Sequence, residues 1–188
     1  MAGRTDEEIK KELFTEERKA KVLNGEMTFR EFFAVSGPEM LQSAMLGFHM
    51  YEAGKYADAE AIFEGLAALD PNESYYQTAL GAVFLAQEEF EKALTAFDQA
   101  IKINSKDNAA FVNRGEVHLR MGKVLEAAQD FQSAVKLDGE GKDPLTMRAK
   151  VLAAAALQLI QSEEAKRGGG KAPEAKGKPA PDKGAKKK

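Results

Sequence analysis

Leu46-Gly47-Phe48-His49-Met50-Tyr51-Glu52-Ala53-Gly54-Lys55-Tyr56-Ala57-Asp58-Ala59-Glu60-Ala61-Ile62-Phe63 is a pattern that the chain writes three times. Gly47, Gly81 and Gly115 stand 34 residues apart, as do Ala59, Ala93 and Ala127, and Phe63, Phe97 and Phe131. Three independent columns on one period mark a structural repeat. Apolar residues recur at helical spacing in both halves of each unit, so each unit reads as two helices. The halves are separated at Gly54, at Gln87-Glu88-Glu89 and at Gly122. The predicted pairs are 39–53 with 56–69, 74–86 with 90–103, and 108–121 with 124–137. Each glycine of the repeated column lets the helices of a hairpin approach closely. Ala59, Ala93 and Ala127 do the same from the second helix, and the three Phe fill the seam. Departures are visible: Arg114 replaces the Leu before Gly115, and Ser105 and Gly139 stand where repeat one has Pro71. Ser43 and Gln77 stand where repeat three has Phe111.

A period of 34 with Leu-Gly early, Ala-x-x-x-Phe next and Pro near the end resembles the tetratricopeptide repeat. The expected fold class is all-α: a tetratricopeptide repeat α-hairpin solenoid of three repeats, with N-terminal helices and a C-terminal capping helix. The expected organisation is an N-terminal helical extension over 1–36, the repeat domain with its capping helix over 37–167, and a disordered Lys-rich tail over 168–188. In the extension, Thr5 to Leu23 reads as one polar helix opened by a Thr5/Glu8 capping box. Thr28 with Glu31 opens a short second helix carrying Phe29, Phe32 and Phe33. Three Phe so close together either pad the first repeat or join two copies of the chain. Ser36-Gly37-Pro38-Glu39 is a helix start, and Asp143-Pro144 begins a last helix to about Arg167 that covers the end of the stack.

The charge is split. Residues 168–188 carry seven Lys against Glu174 and Asp182, so a net charge of −3 leaves about −8 on residues 1–167. Gly, Pro, Ala and Lys without large apolar residues cannot bury enough surface to order a chain. There is no Cys, so disulfides and thiolate metal sites are excluded. The first residues lack the apolar core of a secretory signal, and the apolar run Val151 to Leu157 is too short to span a bilayer. A cytoplasmic protein is expected. No Walker-type loop or Gly-x-Ser-x-Gly occurs. His49 and His118 have no acidic neighbour at a metal-ligand spacing and read as packed or half-exposed side chains. The chain is therefore read as a non-enzyme with no cofactor and no metal.

In a stack of hairpins the first helix of each repeat lines the concave side. The expected peptide-binding groove is Leu41, Ala44, Phe48 and Tyr51 in repeat one, Tyr75, Thr78, Ala82 and Leu85 in repeat two, and Ala109, Val112, Glu116 and Leu119 in repeat three. Leu46, Met50, Leu80 and Phe84 are expected to face the core. Such a lining suits an extended segment with apolar anchors. It lacks the Lys, Arg and Asn that would grip a free C-terminal carboxylate at Ala44, Phe48, Thr78 and Ala82.

The arrangement resembles the class II chaperones of bacterial type III secretion. The resemblance is carried by the Phe-rich N-terminal segment, three repeats, a closing helix and the stretch Met50 to Asp70 followed by Leu80-Gly81-Ala82. It implies a partner, a secreted translocator protein, held as an extended Pro-x-Leu-x-x-Pro-like segment. It also implies apolar pockets at Phe48, Tyr51, Tyr75, Leu85 and Leu119, and a homodimer contact at Phe29, Phe32 and Phe33. No nucleic acid is expected as a partner, and membrane contact through the Lys tail is a lesser alternative. A general repeat scaffold in a pilus or envelope assembly is the alternative function.

Overall fold

The computed structural model describes residues 5–138 and 143–168, with backbone alone for 6, 7, 9, 10 and 163–168. Position 139 and the predicted tail beyond residue 168 lie outside the described residues. Six helices form three hairpins: α4 (Gly37–Glu52) with α5 (Tyr56–Leu69), α6 (Ser74–Ala86) with α7 (Phe90–Ile103), and α8 (Asn108–Arg120) with α9 (Val124–Leu137). Before them come α1 (Asp6–Leu13), α2 (Glu16–Leu23) and α3 (Phe29–Phe32), and after them α10 (Pro144–Gly168). Each second helix packs against the next first helix, and α4, α6 and α8 touch in sequence. The first helices therefore form one layer and α5, α7 and α9 the other. The helix α10 packs on α9 and reaches α8, continuing the stack.

The repeated columns meet at the hairpin seams. Phe97 and Phe131 are fully buried and Phe63 is 2% exposed. Each such burial is worth about 2–3 kcal/mol. The glycines opposite them are required by distance. A Cβ on Gly81 would lie 2.5 Å from Phe97 Cε1, and one on Gly115 2.6 Å from Phe131 Cε1. At Gly47 the nearest approach to Phe63 is 3.0 Å.

The turns between the helices of each hairpin share one backbone conformation. Gly54 and Gly122 have φ of 72° and 74°, and Glu88, the equivalent residue of repeat two, has φ of 63°. Repeat two thus places a side chain in the left-handed region that glycine occupies without strain.

Two cores run through the stack. One joins Phe63, Leu66, Leu80, Val83 and Phe97 with Ala110 and Val117 of α8. The other joins Val112, Phe131 and Ala134 with Ala149 of α10. Repeat three keeps its seam although Arg114 stands in the Leu position. Arg114 donates to both carboxylate oxygens of Asp130, through Nε at 3.0 Å and Nη2 at 2.5 Å, and to Asp98 at 2.6 Å. Burial alone would lower the Arg114 pKa, but the hydrogen bonds and charges of Asp130 and then Asp98 outweigh it and raise it. His118 Nδ1 lies 3.0 Å from Asp130 Oδ2. Asp130 comes from the paired helix, twelve residues on, and His118 packs beside it with a side chain 15% exposed.

The N-terminal segment is two helices, not the single one expected. Thr15 interrupts it by capping α2, its Oγ1 accepting from Arg18 N at 3.3 Å, with Glu16 and Glu17 in the first turn. The Thr5/Glu8, Thr28/Glu31 and Ser36/Glu39 capping pairs all form. Phe32 is buried, edge-on to Phe14 at 5.3 Å and Phe33 at 5.1 Å. Arg18 lies 5.7 Å over its ring and donates to the Glu31 and Phe32 carbonyls. The segment α3 packs on α5, and Arg30 pairs with Asp70 at 3.1 Å.

Leu46 corrects another expectation. It is 49% exposed, whereas its repeat-two equivalent Leu80 is 5% exposed. The helix α5 precedes α6 and packs against it, but no hairpin precedes α4.

Candidate functional site

The open side of the first-helix layer is a stripe at spacing i, i+4, i+7, i+11. In α4 it is Leu41, Met45, Phe48 and Glu52, all exposed. In α6 it is Tyr75, Ala79, Ala82 and Ala86, which with Gln77 are the only residues of that helix not buried. In α8 it is Ala109, Asn113, Glu116 and Arg120. This spacing keeps one face of a helix in register.

At the repeat-one end the stripe opens on a cavity of about 550 Å³. Leu41, Ala44, Met45, Leu46, Phe48, His49 and Glu52 of α4 line it, and Tyr75 of α6 closes it. Its large side chains are in solvent: Leu41 is 62%, Met45 65%, Phe48 49% and Tyr75 47% exposed. Aromatic contacts stiffen the wall. Phe48 stacks on Tyr51 at 6.4 Å, and Tyr75 meets Phe63 and Tyr76 edge-on at 6.3 and 5.9 Å. Burial raises the pKa of both Tyr75 and Tyr76.

The sequence-predicted residues divide between the open stripe and its floor. Leu41, Phe48, Tyr75, Ala82 and Glu116 are on the stripe. Tyr51 and Leu119 are half-buried beside it. Ala44, Thr78, Leu85 and Val112 are buried, and the placement of Leu85 and Val112 as groove walls is corrected. Leu85 belongs to the first core and Val112 to the second, under α10. Thr78 is held by its hydroxyl, which donates to Asp107 at 2.8 Å. Met45, Glu52, Ala79, Ala86, Asn113 and Arg120 were missed. The signal for them was the i, i+4 continuation from Leu41, Tyr75 and Ala109, one residue round the helix from the face chosen.

At the repeat-three end the stripe is polar. Glu116 accepts from Arg120 of its own helix at 3.4 Å and from Arg148 of α10. Arg120 and Arg148 keep side-chain exposures of 45% and 50%, while Glu116 has 20%. Among the described residues no helix is long and apolar enough to cross a membrane, and no group of three or more His, Asp or Glu is placed to hold a metal.

The sequence profile of the tetratricopeptide repeat matches residues 49–108 and 78–143, half of the chain. The chain belongs to the tetratricopeptide repeat family. Its repeats are 33% identical over 120 residues to DnaJ homolog subfamily C member 3 of Homo sapiens, covering 63% of this chain but only 23% of that relative. They are 28% identical over 115 residues to low calcium response locus protein H of Yersinia pestis, covering 61% of this chain and 68% of the relative. A T3SS complex from Aeromonas hydrophila contains a chain 27% identical, with a TM-score of 0.63 over 80% of this chain and 96% of that one. PcrH from Pseudomonas aeruginosa is 29% identical, with a TM-score of 0.62 over 65% of this chain and 95% of its own. PcrH has also been solved in complex with the chaperone binding region of PopB. This tetratricopeptide protein resembles the translocator chaperones of type III secretion.

Proposed function

We propose that this protein is a cytoplasmic chaperone that holds a secreted translocator protein of a type III secretion system in its groove before export. The observation that carries the reading is the row Leu41, Met45, Phe48 and Tyr75, four large apolar side chains 47–65% exposed around one cavity. Exposed apolar surface of this kind marks a binding site for an apolar partner. The likeness to PcrH, which binds the chaperone binding region of PopB, supports the same use here. The work is reversible binding, without a reaction. A second copy of the chain would sit at the N-terminal end, where Phe29 and Phe33 are 49% and 44% exposed.

The test is a pull-down from the native lysate with wild-type protein and with Met45→Asp/Phe48→Ala. Both substituted side chains are exposed, so helical content is expected to hold by circular dichroism. Wild type is expected to recover one or two membrane-active secretion substrates, and the variant to lose them at least tenfold, roughly the worth of two apolar anchors. Equal recovery by the folded variant would overturn the groove. Recovery of pilus or envelope components instead would make the protein a scaffold.

A further inference from the structure

The groove changes character along its length, in a way that the apolar anchor alone does not explain. Its three stripes run from Leu41, Met45, Phe48 and Glu52, through Tyr75, Ala79, Ala82 and Ala86, to Ala109, Asn113, Glu116 and Arg120. Large apolar side chains give way to small ones and then to polar ones. The last position of each stripe lies on one rim, and there the charge passes from Glu52 through Ala86 to Arg120. At the repeat-three end, Arg120 and Arg148 share the single carboxylate of Glu116. Two half-exposed guanidinium groups on one carboxylate leave a surplus positive charge facing the groove. The carboxylates at the other ends of these helices are already engaged: Glu73 accepts from Tyr75 N, Asp107 from Ala110 N and Asp143 from Leu145 N.

We infer that the groove reads a segment with a large apolar residue at one end and a carboxylate at the other. The apolar residue enters the cavity between α4 and Tyr75, and the carboxylate meets Arg120 and Arg148. This deepens the chaperone reading and rests on it. Glu52 repels an acid at the apolar end, so the bound direction is set by charge. Neighbouring helix axes lie about 8–10 Å apart, so α4 to α8 spans about 16–20 Å. An extended chain rises about 3.3 Å per residue, which puts the carboxylate about five or six residues from the anchor. Arginine suits the role, since its planar fork pairs with carboxylates at two points.

The probe is a set of amidated dodecapeptides on a Gly/Ser/Pro host, titrated by fluorescence anisotropy. One has Leu followed by Glu five residues on. Others have Gln or Lys in place of that Glu, or the Glu moved to two residues from the Leu. A further peptide ends at that position with a free terminus, which separates a side-chain acid from a chain-terminal one. The Leu/Glu peptide is expected to bind roughly five- to tenfold more tightly than the Gln peptide, the size of one partly solvated charge-assisted contact. The Lys and short-spaced peptides are expected to be weaker still, and the preference to fade with salt. Arg120→Gln/Arg148→Gln should bring the Glu and Gln peptides to equal affinity, with helicity checked in parallel. Equal binding of the Glu, Gln and Lys peptides, all lost in Met45→Asp, would overturn this inference and leave the groove standing. Binding of none of them, or binding indifferent to Met45→Asp, would overturn the groove as well.

Discussion

Glu88 shows how one residue can carry strain for a whole hairpin. Its φ of 63° matches the 72° and 74° of Gly54 and Gly122 in the other two repeats. A side chain there costs about 1–2 kcal/mol, while glycine costs about 0.5–1 kcal/mol in added unfolded-state freedom. The first term is larger. Glu88→Gly is therefore expected to stabilise the protein by about 0.5–1 kcal/mol, read as a higher urea midpoint at unchanged slope. A lower midpoint would mean that the carboxylate makes a contact worth more than the strain. At Gly81 the sizes are reversed, because Phe97 carbon atoms 2.5–2.7 Å from a new Cβ leave no room for any side chain.

At the scale of elements, the contact among α7, α8 and α9 uses charge where the preceding repeat uses packing. Arg114 and Asp130 occupy the positions of Leu80 and Ala96, with Asp98 and His118 completing the network. Asp130 is 6% exposed as a side chain, so removing Arg114 leaves a buried carboxylate with His118 as its remaining side-chain partner. Arg114→Leu is expected to cost about 3 kcal/mol. Arg114→Leu/Asp130→Ala, which writes repeat two's pair into repeat three, is expected to recover most of that loss, because apolar replacement of a buried pair is often neutral or better. Thermal melts of both variants decide it. A double variant as weak as the single one would show that the network holds more than this pair. Legibility follows the same division. Helix ends were readable where a cap spells them, as at Ser36/Glu39 and Thr28/Glu31. The break at Thr15 was missed because the polar α1 and α2 show no change in apolar period across it.

Across the whole molecule, the stack is closed at one end and open at the other. The helix α10 covers repeat three, with Thr146, Ala149 and Ala156 fully buried. At the N-terminal end Phe29 and Phe33 are exposed rings at 49% and 44%. Such an end favours a second copy of the chain. Phe29→Ser/Phe33→Ser is expected to shift the mass in solution, by light scattering after size exclusion, from dimer to monomer. A wild-type monomer at micromolar concentration, or a variant that stays dimeric, would remove these rings from the interface.

The sequence by itself determined the three hairpins, their helix pairs and the Gly-to-Phe seams. It could do so because those contacts join residues at fixed short separations, and the repeat wrote each of them three times. It also singled out Leu41, Phe48 and Tyr75, which are exposed on α4 and α6. Only the tertiary structure decided which of two adjacent faces stays open. Successive residues on a helix point about 100° apart, so Ala44 lies under the groove and Met45 in it, and the boundary is set by how each first helix leans on its neighbours. Only the tertiary structure, too, placed Asp130 beside His118 and Arg148 beside Glu116. Those pairs join helices through space, and no periodicity in the chain records them.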